Sequence, residues 1–244
     1  MSIIEYILGS LFRIIFFLLL LIYHPLQMLS YNLFGWKAHQ KIVTYLNGSI
    51  LTAFRIPFNS ISGQNTHNLP ENTSAIIIAN HQSLWDIVGL YWYLRKVNPV
   101  FVSKIELAKG IPSISYNLRK SGAALIARKN RRQAITEISR LSKQINKQRR
   151  AAVIFPEGTR SRDGQVKNFA LGGITVLLKK NPDAWIIPVA IQGTCKMEAN
   201  KYYRIKGFNK VSWTVLKPFN ASGMDAELIA GKCEQLIKGS LGQS

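Results

Sequence analysis

Two short runs of this chain bring together residue types that can move a proton and hold an anion. The first, Asn80-His81-Gln82-Ser83-Leu84-Trp85-Asp86, supplies an imidazole and, five residues on, a carboxylate. The second, Phe155-Pro156-Glu157-Gly158-Thr159-Arg160-Ser161, sets a carboxylate, a glycine, a hydroxyl and a guanidinium at four consecutive positions. An alcohol ionises far above neutral pH, so attack by a hydroxyl needs a general base, typically worth about 10² to 10⁴ in rate. His81 is the candidate base. Asp86 would accept from its other ring nitrogen, fixing the tautomer and stabilising the imidazolium. Five residues apart on one continuous helix would set the two groups badly. The pair works if His81 lies in the turn before a helix and Asp86 in its first turn.

Arg160 offers paired donors that suit a phosphate monoester, and Thr159 adds a hydroxyl. Gly158 permits close approach of the backbone. Ser83 is a rival nucleophile, but it stands between Gln82 and Leu84 and lacks the Gly-x-Ser-x-Gly elbow. Arg128 and Lys104, each at the end of an expected strand, are further basic candidates.

The elements that must position these groups read as alternating strands and helices. Short β-branched runs at 75–79, 99–103, 123–127, 151–155, 186–190 and 211–216 predict strands. The helices expected between them include one whose apolar positions Ala134, Ile138, Leu141 and Ile145 are spaced by four, three and four. That alternation predicts an α/β fold with a mixed sheet flanked by helices. Pro57, Asn59, Ser60, Ser62, Gly63, Asn65 and Pro70 cluster between 57 and 70, which sets a boundary between residues 1–57 and residues 58–244.

Residues 3–23 are almost wholly apolar, with Glu5 and Arg13 their only charges. Such a length would just cross a hydrocarbon core of about 30 Å, and Arg13 near its middle makes a simple span expensive. Residues 31–56 form a weaker amphipathic stretch. Pro25 is expected to separate the two and Pro57 to close the second, giving an N-terminal membrane-associated two-helix motif.

The formal charge is +20 over 244 residues. From Arg119 to Arg150 eleven basic residues face one acid, Glu137. That field attracts polyanions. No aromatic-interleaved repeat or reader motif accompanies it, so nucleic acid is not the expected partner. Two cysteines, Cys195 and Cys233, read as free thiols, and four scattered histidines give no metal site.

Taken together the two runs resemble the PlsC-type glycerolipid acyltransferases, specifically the 1-acyl-sn-glycerol-3-phosphate acyltransferases. Two weaker blocks, Gly122-Ala-Ala-Leu-Ile-Ala-Arg128 and Ile187-Pro-Val189, complete the family's order across residues 80–189. The resemblance implies an acyl transfer from acyl-coenzyme A or acyl carrier protein to the sn-2 hydroxyl of lysophosphatidic acid, giving phosphatidic acid. It implies His81 and Asp86 as the catalytic pair and Arg128, Glu157, Gly158, Thr159 and Arg160 as acceptor ligands, while Lys104 remains a basic candidate from its strand-end position alone. Glu157 would hold the glycerol backbone or a partner arginine. Pro188 would shape the acyl channel, and a backbone N–H near Glu157–Gly158 would meet the thioester oxyanion. No cofactor beyond the acyl co-substrate is implied. Membrane lipids and an anionic donor would be the partners, at the cytoplasmic face of a bacterial inner membrane. Phe169-Ala-Leu-Gly172 lacks the lysine many relatives carry there, which leaves room for another acceptor such as glycerol 3-phosphate or a lyso-aminolipid. A non-catalytic anionic-lipid-binding protein is the reading from a different class.

Overall fold

In the computed structural model, which describes residues 3–127, 129–198 and 205–243, the apolar runs form the middle of one mixed sheet. β2 (Ala75–Ala79) is buried along its whole length, because helices cover both faces of the sheet there. β5 (Ala151–Ile154) and β6 (Trp185–Gln192) flank it, and both run parallel to it. β3 (Pro99–Lys104) adds to β5, and β4 (Ala124–Ile126) adds to β3, again in parallel. On the far side β7 (Lys210–Val215) and the short β8 (Phe219–Asn220) pair antiparallel with β6. β1 (Ser60–Asn65) closes the edge parallel to β7. The order is therefore β1-β7-β6-β2-β5-β3-β4, and the α/β mixed sheet expected from the sequence is present. β2 through β6 are mutually parallel, so the loops leaving their C-terminal ends share one rim, where ligands bind in such sheets.

Alternate residues of these strands face two cores. Ile77, Val153, Ile187 and Val189 point into one with α2 (Asp86–Tyr93) and the N-terminal helical run. Ile76, Ile78, Ala152 and Ile186 point into the other. There α4 (Arg131–Gln148), α5 (Leu171–Leu178) and α7 (Ala226–Leu241) cover the sheet. The helix read from Ala134, Ile138, Leu141 and Ile145 lays that stripe inward, and Asn130 caps its start by accepting from the Gln133 N–H at 3.0 Å. α3 (Ile114–Lys120) follows β3, and α6 (Thr194–Met197) is a single turn after β6.

The N-terminal expectation needs correction. A single long apolar helical run, α1 (Ile3–Ala53), carries Pro25 within it instead of two helices divided there. Its one non-helical residue is Gly35, with φ 75° and ψ −170°. Proline removes one hydrogen bond and kinks a helix, whereas a positive φ at glycine can turn the chain back. It does turn back: Phe12 and Phe54 have ring centroids 5.6 Å apart, and the Tyr23 hydroxyl lies 3.0 Å from Ser49 Oγ. The first limb packs Phe12, Phe16 and Leu20 against Trp85 and the sheet, and leaves Ile7, Leu11, Ile14, Leu18, Leu21 and Ile22 exposed.

Arg150 also departs from expectation. It does not join the solvent-facing basic field but is 1% exposed. Its guanidinium donates to the carbonyls of Asn98 and Ser121 and lies 4.8 Å from the centre of the Trp36 ring, beside the turn-back. Burial lowers its pKa to about 10.

Candidate active site

The site is assembled at the rim where β2, β5 and β6 end. His81 follows β2 by two residues, and Asp86 is the first residue of α2. That is the placement the pair requires. His81 Nδ1 lies 2.8 Å from Asp86 Oδ2. The same oxygen accepts the backbone N–H groups of Gln82 at 2.7 Å and Ser83 at 3.0 Å, while Oδ1 accepts from the Thr194 hydroxyl. Asp86 is fully buried, and these donors replace the water its carboxylate has lost. They also fix which oxygen meets the imidazole. His81 Nε2 makes no hydrogen bond among the described residues, so one basic nitrogen is left for a substrate proton.

The ring is held in a second way. It stacks on Phe155, with centroids 4.1 Å apart and an interplanar angle of 18°. The two motif runs are sewn together around the His81 backbone: its N–H donates to Glu157 Oε1 at 2.9 Å, and its carbonyl accepts from the Ser161 N–H at 2.7 Å. Glu157 thus answers to His81, where the sequence suggested a substrate or an arginine. Burial raises the pKa of Glu157 to about 7, against the opposing hydrogen bond from His81 and the nearby Lys167 charge.

Other expectations resolve less compactly. Gly158 has φ 68° and is exposed, with open space where a Cβ would stand, so its conformation and not crowding calls for glycine. Its N–H is spent on the Phe155 carbonyl at 3.1 Å, which removes the simplest oxyanion donor from that turn. Arg160 is exposed and paired with Glu198 at 2.8 Å. Thr159 accepts from Lys167 Nζ at 3.2 Å, so a lysine does stand in this loop although Ala170 replaces the one expected. Lys104 is exposed at the end of β3. Arg128 lies outside the described residues. Pro188 is buried in β6 opposite Ile78.

An apolar cavity of about 110 Å³ lies instead between α1 and α2, lined by Phe16, Leu20, Ile50, Leu84, Trp85 and Ile87 among others, and Pro188 does not reach it. Ser83 is fully buried, with its oxygen accepting the Trp85 N–H, which disposes of the nucleophile reading. Sequence reasoning missed Thr194, which sits 108 positions from its partner and belongs to no run. It also gave no role to Phe155, which it had in view. Among the described residues no group of His, Cys, Asp or Glu is arranged to hold a metal ion, and both cysteines are free.

Comparison with known proteins bears on this geometry. Residues 60–192 match the sequence model of the acyltransferase family, a span that contains both motif runs, His81 to Asp86 and Phe155 to Ser161. The chain is 29% identical over 170 residues to the chloroplastic 1-acyl-sn-glycerol-3-phosphate acyltransferase of Arabidopsis thaliana, covering 69% of this chain and 46% of that protein. To the 1-acyl-sn-glycerol-3-phosphate acyltransferase of Haemophilus influenzae it is 28% identical over 180 residues, covering 70% and 72%. It spans about half the length of several curated relatives it matches, among them those from Arabidopsis thaliana and Brassica napus. The crystal structure of the 1-acyl-sn-glycerophosphate acyltransferase PlsC from Thermotoga maritima superposes with a TM-score of 0.72 at 22% identity, covering 96% of both chains, and shows the shared fold. With the family's sequence pattern matched over more than half its length, the chain belongs to the acyltransferase family.

Proposed function

We propose that the protein transfers an acyl group from acyl-coenzyme A or acyl carrier protein to the sn-2 hydroxyl of 1-acyl-sn-glycerol 3-phosphate, releasing phosphatidic acid and the free thiol. The observation that carries this reading is the His81–Asp86 contact at 2.8 Å with Nε2 left unbonded among the described residues. His81 Nε2 takes the hydroxyl proton as the oxygen attacks the thioester carbonyl, and Asp86 stabilises the imidazolium that forms. The proton then passes to the departing thiolate. Arg160 and Lys167, on the loop after β5, supply positive charge for the acceptor phosphate. The apolar cavity beside Trp85 receives hydrocarbon from one of the acyl chains. α1 and its exposed apolar face act as the membrane-binding part, residues 1–57, and residues 58–244 act as the acyltransferase domain. The cytoplasmic face of the membrane is the proposed location, where both acyl donors are found.

The relatives named for 1-acyl-sn-glycerol-3-phosphate support this acceptor over glycerol 3-phosphate or a lyso-aminolipid. A thioester-release assay tests it. Full-length protein in mixed micelles receives a labelled acyl thioester with lysophosphatidic acid, with glycerol 3-phosphate, or with a monoacylglycerol that lacks the phosphate. Release should depend on lysophosphatidic acid and vanish in His81→Ala. Equal release with the monoacylglycerol would sink the phosphate assignment. Equal release by His81→Ala would sink the mechanism, and no release by the parent with any acceptor would favour a non-catalytic lipid-binding role.

A further inference from the structure

A second cavity, of about 450 Å³, lies between the second limb of α1 and the layer formed by α2 and β1. It shares no lining residue with the apolar cavity and contains neither His81 nor Asp86. Its volume falls in the range of small-molecule sites, about 300 to 1,000 Å³. The lining is chemically one-sided. Arg55, in the turn after α1, is its cation, and no carboxylate lines it. The Arg55 guanidinium makes no hydrogen bond or ion pair among the described residues. Arg55 is exposed, and the lining also carries the hydroxyls of Tyr45 and Tyr93, with Thr52 donating to the Gly48 carbonyl and Tyr23 and Ser49 bonded to each other. The Trp92 ring is also held by Arg95, which does not line the cavity: its guanidinium lies 4.9 Å from the ring centre and donates to the Trp92 carbonyl.

Two positions without a Cβ let the aromatic wall stand where it does. A Cβ on Gly48 would fall 2.5 Å from the Trp92 ring, and one on Gly63 would fall 2.0 Å from the Tyr93 ring. Either would push its ring aside and alter the cavity. The cavity also adjoins the exposed apolar limb: Tyr23 is part of its wall, and Leu21, Ile22 and Leu26 on the same limb are 44–58% exposed. Tyrosine, tryptophan and arginine beside such a surface match the residue types that settle at lipid headgroup level. A guanidinium with no ion pair among the described residues, in a pocket that also presents the Tyr45 and Tyr93 hydroxyls, suits a phosphate.

We infer that this cavity binds the phosphate-bearing headgroup of a membrane phospholipid, whose acyl chains lie along the exposed face of the first limb. The bound lipid is neither donor nor acceptor, and the inference does not depend on the reaction assigned to His81. The test is a tryptophan-fluorescence titration of the full chain in detergent with dihexanoylphosphatidylglycerol, held below the concentration at which it forms micelles. A saturable change is expected, lost in Trp92→Phe and shifted to at least about tenfold higher lipid concentration in Arg55→Gln. Acyl transfer by Arg55→Gln at saturating substrates should stay within about twofold of the parent, which shows that the variant is folded. The inference is overturned by unchanged affinity in Arg55→Gln, by a signal that survives Trp92→Phe, or by inorganic phosphate alone saturating the site at the same concentrations.

Discussion

The two halves of the site are built on opposite principles. On the base side every polar atom of Asp86 is matched, the His81 ring is stacked, and its backbone is held from both ends. On the side proposed to hold the acceptor, Gly158, Thr159 and Arg160 are exposed, and the only carboxylate against Arg160 among the described residues is Glu198, itself partly exposed. Under the proposed roles, the fold settles the proton-transfer geometry in advance and leaves the phosphate end open. Proton transfer tolerates little positional error, so its groups are fixed by burial. A phosphate is a large, symmetric target that mobile cations can meet.

The widest gap should appear with His81→Ala. Turnover falls by on the order of 10² to 10⁴ while the fold is retained, because the Gln82 and Ser83 N–H groups still hold the Asp86 carboxylate. Asp86 tests the rigid side from below. Asp86→Ala strands the buried N–H groups of Gln82 and Ser83, and each should cost about 1 to 3 kcal/mol, read as a lowered denaturation midpoint. Asp86→Asn can keep those bonds if the Thr194 hydroxyl turns to accept, so it should fold and yet lose rate. If Asp86→Asn turns over normally, the charge on Asp86 is irrelevant and the base side is less specialised than it looks.

Arg160→Gln probes the loose side. The expectation is a rise in KM for the lysophospholipid of about tenfold with kcat little changed, and a stability change within about 1 kcal/mol, since its ion pair is exposed. A loss confined to kcat would place Arg160 with the rigid half.

Glu157, which joins the halves, is tested through stability and not through turnover. Its carboxyl ionises near 4.5 in the unfolded chain and about 7 in the fold. Between those values the folded protein holds the extra proton, so stability falls as pH rises through the window. Stability is measured by denaturant titration across that range, and Glu157→Gln should flatten the slope. An unchanged slope would mean that another group carries it.

Much of this was legible beforehand. Continuous apolar runs such as Ala75–Ala79 and Ala151–Ile154 announce buried parallel strands, and the α4 stripe announces its own inward face. β1 was not legible. Ser60-Ile-Ser-Gly-Gln-Asn65 is an exposed edge with one apolar side chain, and only its register with β7 makes it a strand. The His81–Asp86 pair could be read because both members lie in one short run. Thr194 could not, because a contact between loops after different strands leaves no local trace. The N-terminal reversal was assigned to Pro25 on the usual reputation of proline, yet a helix can carry proline as a kink. It takes a residue with free access to positive φ to send the chain back, and that is Gly35.

That reversal also bears on how the protein reaches a bilayer. Ile3 to Ala53 is long enough in residues to cross one, but folding back at Gly35 returns Phe54 to the side of Phe12. Entry and exit of the apolar run therefore lie on the same side as the sheet. If α1 is the membrane-binding part, as proposed, a run that folds back in this way carries no polar segment through the lipid. Under the proposed membrane-binding role, such a chain settles onto one leaflet with the exposed face of the first limb of α1 against the lipid.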